Sequence, residues 1–223
     1  MGWLFESLNS SIGKKIVMAV TGICLILFLI IHLAGNLTLF FGAEAFNGYV
    51  HTLEPFKPVI RVIEVVLGLI FFFHILNGIR LWYTNRQARP EKYAVNASSK
   101  NSTFSSRTMI YTGSIIFIFL VLHLSTFWYY FNFSGHPETG EFTFYKIVID
   151  LFQNYLYAGF YILAMILLGF HLNHGFQSAF QTFGWNNSKY FPLIEKLGQI
   201  YSIVMAVGFG SIPVYFLFFY GGN

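Results

Sequence analysis

Four histidines lie in the middle of long apolar stretches of this 223-residue chain: His32, His74, His123 and His171. An ionisable side chain in such surroundings is costly and usually marks a functional site. A neutral imidazole can bind a metal, relay a proton or form a hydrogen bond to a neighbouring helix. For a single histidine, the structural and the functional interpretation would be equally good. The relative positions of the four therefore decide between them.

The histidines are carried by segments long enough to cross a membrane. A span of roughly 30 Å needs about 20 helical residues. Four segments contain no Asp, Glu, Lys or Arg, and a fifth, residues 59–83, has Arg61, Glu64 and Arg80 only near its ends. The four uncharged segments are residues 16–41, 108–133, 151–183 and 197–220. We predict an all-α membrane protein in which residues 1–223 form one domain of five transmembrane helices. The first segment is too long for a signal peptide.

The composition excludes several other classes of protein. Hydrophobic residues make up 56% of the chain and charged residues 10%, whereas soluble domains are about 25% charged. This composition therefore excludes a soluble domain, a disordered chain and a nucleic-acid-binding protein. Since Cys24 is the single cysteine, the chain alone can form neither a disulfide nor a cysteine-based zinc or iron-sulfur site.

The basic residues predict the orientation. Cytoplasmic loops of membrane proteins carry an excess of Lys and Arg. With the N-terminus in the cytoplasm, ten of the 13 basic residues lie inside and only Lys57, Arg61 and Lys146 lie outside. The hydrophilic residues 84–107 then form an inner loop. Its basic residues either set the orientation of the protein in the membrane or form a docking surface for a cytoplasmic partner. We call the end of the bundle at which the first span begins inner and the opposite end outer.

The depth of each histidine in the membrane indicates which histidine it faces. At about 1.5 Å per residue, His32 and His123 lie about 24 to 26 Å from the inner ends of their helices. His74 and His171 lie about 15 to 20 Å from the same side. The sequence thus predicts an outer pair, His32 with His123, and an inner pair, His74 with His171. Boundary errors of a few residues leave this pairing unchanged.

Two histidine pairs on separate helices of an apolar bundle favour haem as the cofactor. A six-coordinate b-type haem takes one neutral imidazole on each face of its iron. Zinc fits less well, because it needs about four clustered ligands and each level supplies two. We therefore expect two b haems.

Glycines one turn from the inner histidines support a bulky flat ligand. Gly78 follows His74, and Gly175 follows His171, at position i+4 on the same helix face. Glycine lacks the Cβ that would obstruct a porphyrin held by the imidazole. Small-residue helix packing is the alternative explanation of such a motif. Gly35, three residues after His32, is a weaker version.

The remaining histidines receive other roles. His174 shares a helix with His171, but Gly175 stands at i+4 from His171 alone. We therefore assign His171 to the iron and expect His174 to contact a propionate or support the ligands. His51 and His136 fall in predicted outer loops, where solvent exposure is the default.

At this point the residues resemble a known family, the five-helix dihaem cytochrome b membrane anchors of succinate dehydrogenases and fumarate reductases. The resemblance covers nearly the whole chain and is most specific around His171. The matching segments are SSIGKKIVMAVTG at the start of the first span, HLAGNLTLF around His32, FHILNGIRLW around His74, HLSTF around His123 and FHLNHGFQSAFQTFGWNN around His171.

The resemblance implies a function and partners. The family's axial ligands correspond to the same two histidine pairs. It implies a flavoprotein subunit and an iron-sulfur subunit docked on the cytoplasmic side of a bacterial inner membrane. Electrons would pass between the iron-sulfur subunit and a membrane quinone, which we expect to be menaquinone. The succinate chemistry would belong to the flavoprotein.

Haem propionates and the quinone need polar partners. Lys14, Lys15, Arg80 and His174 are candidates for the inner propionates, and membrane anchoring explains the lysines equally well. A quinone could be bound at the inner end by Ser10, Ser11 and Lys14 or at the outer end by His51 and Glu54. The sequence does not decide between these candidates, so the quinone site stays unassigned. Arg61 and Glu64, at i and i+3, are expected to form an ion pair.

Three rival functions remain. A dihaem cytochrome b of a hydrogenase or a formate dehydrogenase would differ in its soluble partners. A histidine-lined metal or proton transporter would need polar residues between the two histidine levels, where Leu, Ile and Phe predominate. A di-iron desaturase would need many more histidine-rich motifs than the single HLNH fragment.

Overall fold

The computed structural model describes residues 2–88, 103–133 and 143–221. All regular secondary structure in these ranges is helical. Five helical segments are long and apolar enough to cross a membrane, which confirms the predicted all-α membrane architecture. These are Ser11–Phe41, Ala43–Gln87, Met109–Phe133, Tyr155–Thr182 and Phe191–Phe218. We refer to them as the first to fifth spans.

The first two spans are joined at a glycine. After a short helix over Gly2–Asn9, the long helix of the first span runs over Ser11–Leu37. It starts at the N-cap Ser10 and continues as a 3-10 turn over Thr38–Phe41. Gly42 follows with a φ of 91°, a conformation that only glycine adopts readily. The second span begins with a helix over Ala43–Leu53 and a 3-10 turn over Glu54–Phe56, and the long helix covers Lys57–Gln87.

Several predicted boundaries differ from the observed ones, and two of the differences have a local cause. The fourth helix begins at Tyr155 and not at residue 151, because Asn154 caps it by accepting hydrogen bonds from the amides of Leu156 and Tyr157. Residues 151 and 152 belong instead to a separate helix, Phe144–Phe152. The fifth helix begins at Phe191 rather than at residue 197, with Pro192 in its first turn. Proline suits that position since the first helical amides have no intrahelical acceptor.

Two short helices close the outer end of the bundle. Ala43–Leu53 and Phe144–Phe152 pack together, and the side-chain oxygen of Asn47 accepts a hydrogen bond of 3.0 Å from the amide of Tyr145. Their apolar faces join one buried cluster that includes Phe46, Val148 and Phe216. The links between the spans are therefore part of the core at this end.

The fourth and fifth spans form the most closely packed part of the molecule. Ala158 and Ala164 are fully buried, and a Cβ added to Gly169 would lie 3.0 Å from the Cβ of Ala206. Small residues allow membrane helices to approach closely. The long helix of the second span is different, because Asn77 is its only buried residue. A large space is left between that helix and the rest of the bundle.

Candidate haem site

The space between the first four spans is one cavity of about 2200 Å³. Ordinary small-molecule pockets measure about 300 to 1,000 Å³, so this one has room for more than one large ligand. Its walls are mostly Leu, Ile, Phe and Met side chains, and the fifth span contributes Phe209 and Ile212. His32, His74, His123, His171 and His174 all line it.

The outer histidines face each other across this cavity. The ring centroids of His32 and His123 are 5.8 Å apart, with an interplanar angle of 86°. Phe28 stacks on His32, and Phe119 stacks on His123. These aromatic rings surround the imidazoles with apolar surface.

The inner histidines meet in the same way. The ring centroids of His74 and His171 are 6.4 Å apart, with an interplanar angle of 62°. The structure thus brings together the same two pairs that the depth of each residue predicts. Each pair joins two different spans, the first with the third and the second with the fourth.

Both separations suit a metal held between two imidazoles. An imidazole nitrogen lies about 2 Å from a bound transition metal. Two such ligands on opposite sides of one ion place their ring centroids roughly 6 Å apart. The observed 5.8 Å and 6.4 Å agree with this estimate, so the residues fit a haem iron at each level.

The Nδ1 atom of every histidine in the two pairs has a polar neighbour. At the inner level, Nδ1 of His74 lies 3.0 Å from the hydroxyl of Thr21, and Nδ1 of His171 lies 3.4 Å from that of Thr112. At the outer level, Nδ1 of His123 lies 3.3 Å from the phenol oxygen of Tyr161, and Nδ1 of His32 lies 3.5 Å from the side-chain nitrogen of Asn36. No hydrogen bond to Nε2 of these four rings occurs within the described residues. The nitrogen bonded to the protein usually determines which one binds a metal. For His74 and His171, whose threonine neighbours can accept a hydrogen bond from Nδ1, Nε2 is therefore the available ligand atom.

The predicted glycines differ in their surroundings. Gly175 and Gly78 line the cavity; a Cβ on Gly175 would meet nothing within 4 Å, whereas one on Gly78 would lie 3.2 Å from the methyl carbon of Met18. Gly35 has another role, since the ring of Tyr49 occupies the place of its missing Cβ. Its absence of a side chain serves helix packing.

The inner end of the cavity carries a different set of cations from the predicted one. Of the candidates for propionate binding, His174 and Lys15 line the cavity, and Lys14 and Arg80 do not. Arg107 also lines it and was not among the candidates. Neighbouring residues on a helix point about 100° apart, so depth alone cannot choose between Lys14 and Lys15.

Other polar residues lie near the outer end. Arg61 and Glu64 form the expected ion pair, with a nitrogen-to-oxygen distance of 2.7 Å, and Arg61 also donates to the side-chain oxygen of Asn132 on the third span. His51 is exposed and lies 3.4 Å from a carboxylate oxygen of Glu54. His136 falls outside the described residues.

A π-helical segment follows His123 directly, over Leu124–Tyr129. The hydroxyl groups of Ser125 and Thr126 both donate to the carbonyl oxygen of Leu122. Such side-chain donors compete with the backbone amides for the carbonyl, which loosens the regular helix. π-Helical turns often lie at functional sites, and here the turn lies beside the outer histidine pair.

Sequence reasoning missed the threonines that face the inner histidines. Thr21 and Thr112 are each followed by a glycine and each precede an outer histidine by eleven residues. This repeated spacing was the available signal. Which helix faces a threonine depends on how the helices are rotated, and the sequence pattern does not specify that rotation.

One of the comparisons with known proteins finds a match. Residues 14–97 match the family described as the succinate dehydrogenase/fumarate reductase transmembrane subunit. No curated protein and no solved structure matches the chain. The matched region contains nearly all of the first span and the whole second span of this multi-pass membrane protein, with His32, His74 and Thr21. Over residues 14–97 the chain is therefore similar to this family, which supports the resemblance to the membrane anchors of these complexes.

Proposed function

We propose that this protein is a dihaem cytochrome b anchor that carries electrons between an iron-sulfur subunit and a membrane quinone. His32 with His123 would hold the outer haem, and His74 with His171 the inner one. The observation that carries the proposal is the presence of two facing imidazole pairs at two levels of one apolar cavity. The family match over residues 14–97 supports the assignment to succinate dehydrogenase or fumarate reductase.

When bound, haem supplies one-electron transfer chemistry at its iron. The chain's own residues determine how that chemistry is used. The two imidazoles at each level would both hold the iron, which would leave no position on it for oxygen. Phe28, Phe119, Phe127 and Phe209 pack around the outer pair and exclude water from it. Water exclusion and the hydrogen bonds to Nδ1 then set the environment of each iron.

The ends of the cavity suggest where electrons enter and leave. We propose that the inner end faces the cytoplasm, because the basic residues Lys15 and Arg107 lie there. A flavoprotein and an iron-sulfur subunit would dock on that side of a bacterial inner membrane, close to the inner pair. The quinone, which we propose to be menaquinone, would exchange electrons with the haems from within the membrane.

Two observations distinguish this function from its rivals. The family match favours succinate dehydrogenase or fumarate reductase over a hydrogenase or formate dehydrogenase cytochrome. The cavity between the two histidine levels is lined by residues such as Leu25, Leu29, Ile116 and Leu168. A metal or proton path would need polar groups there.

The haem content of the purified protein tests the proposal. We expect a b-type spectrum on reduction, two haems per chain, a low-spin ferric EPR spectrum and no change on addition of carbon monoxide. A colourless preparation, or a haem that binds carbon monoxide in the intact protein, would contradict the proposal. Copurification with a flavoprotein and an iron-sulfur protein would support the partners, and a nickel or molybdenum enzyme in their place would contradict them.

A further inference from the structure

The side chains of Thr21 and Thr112 contact the inner histidines from neighbouring spans. The oxygen of Thr21 lies 3.0 Å from Nδ1 of His74, and that of Thr112 lies 3.4 Å from Nδ1 of His171. Both threonines are buried, with 8% and 3% of their surface exposed. Water is therefore a poor substitute for these contacts.

Each threonine hydroxyl has one proton, which it donates in a hydrogen bond to a backbone carbonyl oxygen of its own helix. Thr21 lies 2.7 Å from the carbonyl oxygen of Val17 and 3.1 Å from that of Met18. Both neighbours are acceptors only, so the hydroxyl proton points toward them. With its proton directed to these carbonyls, the threonine oxygen accepts on the side of His74, which matches the tautomer that carries its hydrogen on Nδ1. Thr112 repeats this arrangement, with its proton directed to the carbonyls of Thr108 or Met109.

On the basis of the proposed function, we infer that Thr21 and Thr112 are positioning residues for the inner haem. By accepting a hydrogen bond from Nδ1, each one holds its histidine in the tautomer whose Nε2 lone pair is free for the iron. A hydrogen bond at Nδ1 also increases the electron donation of the ring to the metal. This donation favours the ferric state and lowers the potential of the inner haem.

The glycine after each threonine completes the contact. A Cβ on Gly22 would lie 3.5 Å from Cε1 of His74, and one on Gly113 would lie 3.4 Å from Cε1 of His171. Each imidazole therefore lies directly against the helix backbone beside its threonine. The same Thr-Gly pair makes the same contact on two different spans, so the two inner histidines are held by the same local arrangement.

The outer pair lacks this arrangement. The neighbour of His32 is the side-chain nitrogen of Asn36, a donor at 3.5 Å, and the neighbour of His123 is the phenol of Tyr161, which can donate or accept. The threonine contacts should therefore act on the inner haem alone.

Redox titration of threonine variants in the intact complex tests the inference. Thr21→Val keeps the side-chain shape and removes the acceptor, so we expect a higher midpoint potential and an altered ferric EPR signal for the inner haem. The outer haem should be unchanged. Thr112→Val should give a smaller shift in the same direction because its contact is longer. Thr21→Ser restores the hydroxyl and should return the wild-type potential.

Thr84→Val is the matched control, since Thr84 also donates to a backbone carbonyl of its own helix but lies on the exposed surface. It should leave both potentials unchanged. Selective loss of the inner haem in Thr21→Val, with retention in Thr21→Ser, would also support the inference. It would be overturned by an unshifted inner potential, by a shift of the outer haem, or by equal haem loss in the Val and Ser variants. A wild-type protein without haem would instead contradict the proposed function, and the inference with it.

Discussion

The phenol oxygen of Tyr161 lies 3.3 Å from Nδ1 of His123 and accepts a hydrogen bond of 2.8 Å from the hydroxyl of Tyr157. Tyr161 is 5% exposed and stacks on Tyr157, one turn closer to the outer end of the fourth span. The three side chains form a hydrogen-bonded row from the cap of the bundle to the outer histidine pair. In the part of the chain that the structure describes, Tyr161 is thus the one polar contact of His123 with the fourth span.

The variant Tyr161→Phe should change the outer haem and not the inner one. It removes the neighbour of His123 Nδ1 while keeping the aromatic ring, so we expect a shifted midpoint potential of the outer haem. Loss of the hydrogen bond from the half-buried Tyr157 should also cost about 0.5 to 1.5 kcal/mol of stability. Redox titration and thermal denaturation measure the two effects. Tyr157→Phe is the control, because it leaves the Tyr161 contact in place; a change of the inner haem in Tyr161→Phe would contradict this assignment.

Alanine variants of the four histidines test the pairing. His32→Ala and His123→Ala should both remove the outer haem, because one remaining imidazole fills only one axial position. His74→Ala and His171→Ala should both remove the inner haem. The low-temperature reduced spectrum and the haem content per chain distinguish the two losses. If all four variants lost the same haem, or if His32→Ala and His74→Ala lost the same one, the two-level arrangement would be wrong.

The levels of the histidines followed from the sequence because helix geometry is fixed. A rise of about 1.5 Å per residue converts the position in a span into depth, with little influence from neighbouring helices. His32 therefore lies opposite His123, and His74 opposite His171, as their depths predict and in spite of errors at the ends of the spans. The same reasoning identified five spans, because a membrane-crossing helix needs a long apolar run.

Features that depend on how a helix is rotated about its axis could not be predicted from the sequence. Depth places Thr21 and Lys15 on the first span but does not say which neighbour each one faces. The contact of Thr21 with His74, and the choice of Lys15 over Lys14 at the cavity, depend on how the first and second spans are turned about their axes. The break before Tyr155 was missed for a local reason, since residues 151–183 contain no charge and one Asn caps the new helix.

His171 and His174 should respond differently to substitution. His171 faces His74 at 6.4 Å between ring centroids, and within the described residues no such contact joins His174 to His74. His174→Ala should therefore keep two haems per chain, whereas His171→Ala should keep one. The haem-to-protein ratio of the purified variants measures this. Retention of the inner haem in His171→Ala, with its loss in His174→Ala, would move the ligand to His174.

Close packing of the fifth span against the first should protect the outer site. A Cβ on Gly208 would lie 2.8 Å from a methyl carbon of Leu33, which is buried next to His32, while the neighbouring Phe209 contacts the ring of His32. Gly208→Ala must displace these side chains, and overpacking of this kind costs about 1 to 3 kcal/mol. We expect a lower denaturation temperature and earlier loss of the outer haem on heating.

Gly210→Ala is the matched variant for this test. It adds the same methyl group to the same helix, but its nearest neighbour, the Cβ of Met165, would lie at an ordinary contact distance of 3.7 Å. Its stability should stay close to that of the wild type. Equal destabilisation by the two substitutions would attribute the effect to the loss of glycine itself. A destabilised Gly208→Ala that released the inner haem first would contradict the link between Leu33 and the outer site.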